Sequence, residues 1–212
     1  LLSTSIARRL ADLVGDEHTL AEPAALADFE IDGVPPGVAV RPGSVDELAE
    51  VIRLAAAEGL ALVACGGLTK LPIGMPPSRY DIALCTSRLN RVLAYDPADL
   101  TLGVEAGVTL TQLGAVLAKQ KQFLPLRVNF EDGATIGGVM ATNSSTPLRH
   151  AFGGPRDYVL GMEFVTGEGV LTKSGGRVVK SVAGYDIHKL MIGSFGTLGV
   201  ITRVNFKTFP LP

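Results

Sequence analysis

The sequence has no tryptophan, two cysteines, three histidines and only 6% aromatic residues. Each shortage removes a class of protein. Cys65 and Cys85 form no CxxC pair and each follows apolar residues, so they read as buried free thiols rather than a disulfide. His18, His150 and His188 are scattered without ligand spacing, which argues against a metal centre. Neither charge sign dominates. Nineteen Lys and Arg against 21 Asp and Glu give a net charge of −2, and no long basic run offers a nucleic-acid or anionic-membrane surface. No apolar run reaches the ~18–20 residues of a membrane span, and no secretory leader is visible. The sequon Asn143-Ser144-Ser145 is therefore read as chance. Two nucleotide signatures are also missing. GxxxxGK[ST] fails because Lys70 follows Thr69 rather than a glycine, and no GxGxxG occurs. Neither a standard NTPase nor a standard NAD domain is favoured.

What is there points to a folded chain. Of 212 residues, 47% are hydrophobic and 19% charged, enough for one large domain or two small lobes with a buried core. Twenty-five glycines beside so few aromatics imply tight turns and close backbone approaches. Leu1 in place of an initiating methionine, and an end at Pro212, raise the expectation of a longer natural protein with a C-terminal portion outside this chain.

Periodicity places the elements. Ile6, Leu10, Leu13 and Val14 have helical spacing over 3–14. VAVRP (38–42) reads as a strand, and SVDE (44–47) as a capping box opening a helix that Gly59 ends. LALVAC (60–65) completes a β-α-β unit, with glycines at its exit. DIALC (81–85), RVLAYD (91–96) and LTLGVEAG (100–107) are strand-like. TLTQ (109–112) is a second capping box. Residues 158–172 read as a hairpin turning at Gly167–Gly169, and 200–209 as a final strand. So many hairpins in the second half argue against a purely parallel doubly wound sheet. The expected fold is α+β in two lobes divided near residue 96.

Three glycine-rich segments remain: 66–70, 133–145 and 193–199. Successive backbone N–H groups at a strand exit form a concave anion site, and glycine lets a ligand approach without a Cβ in the way. A bulky residue at Gly67 is accordingly expected to block a phosphate. Thr69 adds a hydroxyl, and Thr135, Thr142, Asn143, Ser144 and Ser145 place short polar groups beside the second segment. Two such cradles suit an extended, pyrophosphate-linked dinucleotide. Taken singly, each segment reads more readily as a structural turn; the three together weigh the two readings about evenly.

The succession GGLTK (66–70), DPADLTLGVEAGVTLTQL (96–113), GATIGGVMATN (133–143), GPRDYVLGMEFVTGEG (154–169) and VAGYDIHKLMIGSFGTLGVIT (182–202) resembles the FAD-binding domain of the vanillyl-alcohol oxidase (PCMH-type) flavoprotein superfamily. The likeness runs from about residue 37 to 209. The block at 176–204 has the form of the FAD-binding E subunits of glycolate oxidase, including Phe195 where many relatives carry glutamate. The resemblance implies a PCMH-type domain of two α+β subdomains, 1–96 and 97–212, with FAD between them and the cap domain absent.

It also implies the site. Gly66, Gly67, Leu68, Thr69 and Lys70 would hold the FAD pyrophosphate through backbone N–H groups. Asp132, Gly133, Ala134, Thr135, Gly138, Thr142, Asn143, Ser144 and Ser145 would line the dinucleotide's path. Gly196, Thr197, Leu198, Gly199, Val200 and Ile201 would pass the flavin, Ile201 touching it through its main chain. Leu68 departs from the family's loop, where covalent members often carry histidine, so the FAD is expected to be non-covalent. If the loop needs a positive φ there, Leu68 is strained.

No catalytic residue stands out. His188 reads as a partly exposed helix residue, Arg149 and His150 as a polar loop, Arg156-Asp157 as a loop ion pair, and Tyr185-Asp186 as structural. The resemblance implies an FAD-dependent, glycolate-type 2-hydroxy-acid oxidoreductase subunit, passing a substrate hydride to flavin or relaying electrons. Its expected partners are sister flavoprotein and iron-sulfur subunits and a small 2-hydroxy acid, without nucleic acid or a transmembrane segment. Its expected location is the cytoplasm, at the inner membrane through those partners. Two alternatives stay open: a non-catalytic FAD-fold assembly module, and another flavoenzyme of this fold, such as the reductase acting on UDP-N-acetylglucosamine enolpyruvate.

Overall fold

The computed structural model describes residues 4–144, 146–177 and 185–212. The first lobe begins with helix α1 (Thr4–Val14), strand β1 (Thr19–Leu20) and a short α2 (Pro23–Leu26). Strand β2 (Val38–Val40), helix α3 (Val45–Ala57), β3 (Leu62–Cys65) and β4 (Ile82–Cys85) follow. The sheet order is β1-β2-β4-β3, with β2 and β3 both parallel to β4. The expected β-α-β unit is therefore present, with β4 inserted between its strands.

Helix α3 starts where the sequence indicated. Ser44 Oγ accepts from the Glu47 amide at 3.1 Å. The Glu47 carboxylate reaches back one residue further than expected, to the Gly43 amide at 2.8 Å. At the other end the amides of Gly59 and Leu60 bond the carbonyls of Ala56 and Ala55, a Schellman ending that Gly59 permits with φ 61°. α1 and α3 cover one sheet face, burying Leu10, Val14, Leu48, Val51 and Ile52 against Val38, Val40, Ile82 and Leu84. Full burial of such a side chain stabilises by roughly 1.5–3 kcal/mol. The opposite face packs Phe29, Ile31, Tyr80, Cys65 and Cys85 into a smaller cluster.

The second lobe holds β5 (Val92–Asp96), β6 (Thr101–Glu105), α4 (Leu110–Ala118), β7 (Gln122–Phe123) and α5 (Ile136–Ala141). Short helices α6 (Arg149–Phe152) and α7 (Pro155–Tyr158) lead to the hairpin β8 (Val159–Val165) and β9 (Leu171–Gly175). Helix α8 (Ile187–Met191), β10 (Val200–Lys207) and β11 (Phe209–Pro210) close it. Its sheet is antiparallel, in the order β5-β6-β10-β8-β9, and β7 pairs separately with β11. β5, just before the expected lobe boundary near residue 96, hydrogen-bonds into this second sheet. Thr109 and Gln112 exchange both capping-box bonds, at 3.2 and 3.0 Å. The core lies between the sheet's inner face (Leu102, Val104, Met162, Val204, Phe206) and α4 and α5. Val165 and Val200 join the first lobe's core, so the lobes share apolar contacts.

Three expectations change. His188 is 4% exposed rather than on the surface. Asp157 caps the Gly154 amide at 2.7 Å, and among the described residues it forms no ion pair with Arg156. Arg149 and His150 sit on helix α6, with both side chains exposed, rather than in a loop. Cys65 and Cys85 are free and buried. No described helix is long and apolar enough to cross a membrane.

Ser174 Oγ accepts the His188 amide at 3.1 Å and lies 3.0 Å from Nδ1, within hydrogen-bond distance of the ring. Burial lowers the His188 pKa from its ordinary 6.5, against an opposing pull from Asp186. A folded-state value below the unfolded one means that stability is full above the unfolded pKa and is lost as pH falls through the folded one. Thermal unfolding followed from pH 8 to pH 5 should show this acid loss, and His188→Gln should flatten it; parallel curves for both proteins would refute it.

Candidate functional site

Two of the glycine segments lie against each other. A Cβ on Gly67 would collide with the backbone carbonyl of Gly133, and one on Gly66 with Thr135 Oγ1. Gly133 in turn abuts Thr69, whose Cγ2 a Cβ would meet at 3.0 Å. The glycines of the loop after β3 therefore serve first to let two backbones touch. The first atom that a side chain at Gly67 would meet therefore belongs to the protein.

The second segment differs from an open cradle of free amides. Residues 136–141 form α5, with Thr135 as N-cap. The amides of Ile136 and Gly137 are already bonded, to the carbonyls of Val108 and Ala106 at 2.8 and 2.7 Å. The other end of α5 holds the third segment: the Met140 and Ala141 carbonyls accept from the Gly193 and Phe195 amides at 3.0 and 2.9 Å. Phe195 and Gly196 carry positive φ, 53° and 76°, which turns the chain toward β3; a Cβ on Gly196 would touch Ala64 at 3.6 Å. α5 thus links all three segments.

Between them lies a cavity of about 430 Å³. Among the sequence-predicted residues, Gly66 to Lys70, Ala134, Thr135, Gly138, Thr142, Gly196, Thr197 and Gly199 to Ile201 line it. Asp132, Gly133, Asn143, Ser144 and Leu198 do not. Asp132 instead accepts from Thr111 at 2.7 Å, and Ser144 Oγ is 2.7 Å from Thr142 Oγ1. Ser145 lies outside the described residues, as does 178–184 of the block that carried the resemblance. Sequence reasoning missed an apolar wall of Ile31, Val63, Leu71, Ile73, Met75 and Pro77. The run LPIGMPP at 71–77 was its only signal.

The electrostatics favour an anion. The amides of residues 66–70 donate no hydrogen bond to other described residues. Leu68 has φ 59°, the strained value its position required, and its side chain packs against the Phe29 cluster. Lys70 is the one charged side chain among the described lining residues. Its Nζ is buried without a hydrogen-bond partner, and burial lowers its pKa from 10.5. An unpaired buried ammonium is costly, and a phosphate oxygen at this spot removes that cost. Free amides, one ammonium and no lining carboxylate fit a pyrophosphate-bearing dinucleotide.

Two lobes meeting over such a cavity define a dinucleotide-binding module. The chain belongs to the FAD binding domain family, whose model matches residues 36–175. It is 36% identical over 172 residues to the D-2-hydroxyglutarate dehydrogenase of Xanthomonas citri pv. viticola, covering 81% of this chain and 36% of that protein. It is 35% identical over 166 residues to glycolate oxidase subunit GlcE of Escherichia coli, covering 78% and 47%. The corresponding figures for glycolate oxidase subunit GlcD of Bacillus subtilis are 30% over 218 residues, covering 100% and 46%. The fold is shared with solved structures of alkyldihydroxyacetonephosphate synthase (TM-score 0.86, 22% identity, covering 100% of this chain and 41% of that one) and p-cresol methylhydroxylase (TM-score 0.84, 19% identity, 98% and 43%). It is thus α+β of the PCMH type, and its cofactor is FAD. The chain spans less than half the length of each of these proteins.

The backbone contact at Gly67 is testable without any ligand. Gly67→Ala should destabilise the flavin-free protein by roughly 1–3 kcal/mol, as overpacking does. Gly114, in α4, has open space where a Cβ would go, and Gly114→Ala should stabilise by about 0.5–1 kcal/mol. Denaturant unfolding of both variants reads the contrast; equal stability of Gly67→Ala and the parent would remove the contact as a constraint.

Proposed function

We propose that this chain is the FAD-binding part of a glycolate-type 2-hydroxy-acid oxidoreductase. The single observation that carries the cofactor assignment is Lys70: a buried, unpartnered ammonium beside a run of free amides. In this reading the amides of Gly66 to Lys70 and the Lys70 ammonium hold the pyrophosphate. Ala134, Thr135, Gly138 and Thr142 flank the dinucleotide, and Gly196 to Ile201 border the flavin, Ile201 through its main chain. FAD is held without a covalent bond, because Leu68 offers no nucleophile where covalent relatives carry one. Protein denatured after loading with FAD should release all its yellow colour; colour retained on the polypeptide would refute this.

When bound, FAD supplies the acceptor for the hydride that leaves the α-carbon of a 2-hydroxy acid. The substrate class is supported by the names of the relatives, D-2-hydroxyglutarate dehydrogenase and glycolate oxidase subunits. The chain's own residues supply position and electrostatics. No Asp, Glu, His or Tyr is among the described lining residues, so the hydroxyl proton needs an acceptor from elsewhere. In the subunit reading, this chain completes a complex with sister flavoprotein and iron-sulfur subunits, at the cytoplasmic face of the membrane. Glycolate or D-lactate added to the FAD-loaded chain alone should leave the flavin band intact, and a partner subunit should permit bleaching. Bleaching by the chain alone would overturn the division of labour.

Lys70→Met should weaken FAD binding roughly 10- to 100-fold, the worth of about 1.5–3 kcal/mol for a charged hydrogen bond, while leaving riboflavin binding unchanged. The parent should also lose FAD affinity at alkaline pH. Below its lowered pKa, Lys70 is already charged; above it, binding must take up a proton, and affinity falls about tenfold per pH unit. Flavin-fluorescence titration reads both effects, and a flat profile in the parent would sink the assignment.

A further inference from the structure

Directly behind the cofactor loop lies a group of reactive side chains that flavin binding does not use. The parallel register sets Cys85 beside Cys65 at the ends of β4 and β3, and sets Leu84 beside Val40 of β2. Arg41 follows Val40 as Cys85 follows Leu84, so Arg41, Cys85 and Cys65 form one row across the sheet. The two thiols are 3% and 7% exposed. Cys85 Sγ is 3.3 Å from Ser87 Oγ and 3.6 Å from the carbonyl of Gly66 in the cofactor loop. The Arg41 guanidinium rests on the Phe29 ring at 5.8 Å.

Two donors in this cluster are orphaned. Arg41 Nε and the Tyr80 hydroxyl are buried without hydrogen-bond partners. Buried donors of that kind call for an anion or a developing negative charge. The two thiols are coupled: a hydrogen bond between them favours losing one proton over losing two, so the pair presents one thiolate braced by one S–H. Adjacent strands run about 4.8 Å apart, within the Cα separation that a disulfide spans. Cys65 borders the cavity and Cys85 does not, so a small oxidant entering there meets Cys65 first.

We propose that Cys85 and Cys65 form a dithiol that hydrogen peroxide converts to a disulfide, reached through the cofactor cavity and shielded when FAD fills it. Cys65 sulfur attacks one peroxide oxygen; an S–O bond forms, the O–O bond breaks, and the departing hydroxide takes the Cys65 proton to become water. Cys85 sulfur then attacks the sulfenic sulfur. The S–S bond forms, the S–O bond breaks, and the hydroxyl leaves with the Cys85 proton as a second water. Two thiols lose two electrons and one peroxide gains them. The cross-link removes the Cys85 S–H bond to Gly66 and ties the two strand exits together beneath the loop. The shielding rests on the FAD reading, whereas the dithiol does not.

The test is peroxide titration of the intact chain, with and without FAD, followed by alkylation and mass spectrometry. In FAD-free protein both thiols should disappear together, with a mass loss of two hydrogens that dithiothreitol reverses. In FAD-loaded protein the loss should be slower. Cys85→Ser should leave a single-oxygen adduct on Cys65 that a sulfenic-acid reagent traps, and Cys65→Ser should leave Cys85 unmodified at the same dose. Oxidation of either thiol without the cross-link, or no thiol loss, would overturn the dithiol, and the parent chain decides this even if a variant fails to fold. Equal rates in loaded and FAD-free protein would overturn the cavity route. Failure to bind FAD would defeat the proposed function, and the FAD-free arm would still decide the cross-link.

Discussion

The structure depends on one contact between backbones. The loop leaving β3 meets the segment entering α5 so closely that Gly66 and Gly67 leave no room for a side chain. This contact joins a mixed, mainly parallel sheet to an antiparallel one. The cavity exists because the two lobes touch here and diverge on either side. Helix α5 extends the junction: its first amides are tied to the end of β6 and the residues after it, and its last carbonyls hold the turn before β10. One six-residue helix therefore sets the distance between all three glycine segments.

That arrangement divides the tasks of the site. The loop 66–70, with Leu68 at a positive φ, leaves its amides without a carbonyl partner among the described residues. The neighbouring segment spends its amides on structure. Charge follows the same division: among the described residues a single ammonium lines the cavity and no lining acid opposes it. A buried cation without a partner lowers stability in the free protein, and that cost is the driving force for an anionic cofactor. The same strand exits that position the loop bring two cysteines side by side beneath it.

Much of the local structure was readable. Ser44 and Thr109 announced helix starts, because a hydroxyl that caps an amide acts within four residues of chain. The strands followed from alternation and apolar runs. The site segments were recognisable as glycine-rich and matched a family pattern. Other parts were not readable. His188 looked like a surface residue because its helix is short, and its burial comes from Ser174 on another element. The wall at 71–77 looked like an ordinary proline-rich loop. Gly67 suggested a ligand, while the atom it avoids belongs to Gly133, 66 residues away.

The sequence by itself therefore determined the elements, the family and the three segments. These depend on interactions between residues close in the chain, whose patterns repeat from protein to protein. Only the tertiary structure decided which glycines face protein, which amides stay free, and that Lys70 is buried alone. It also decided that Cys65 and Cys85, 20 positions apart, stand in register. Each of these is a property of distance in space between elements that the chain separates, and no local pattern encodes such a distance.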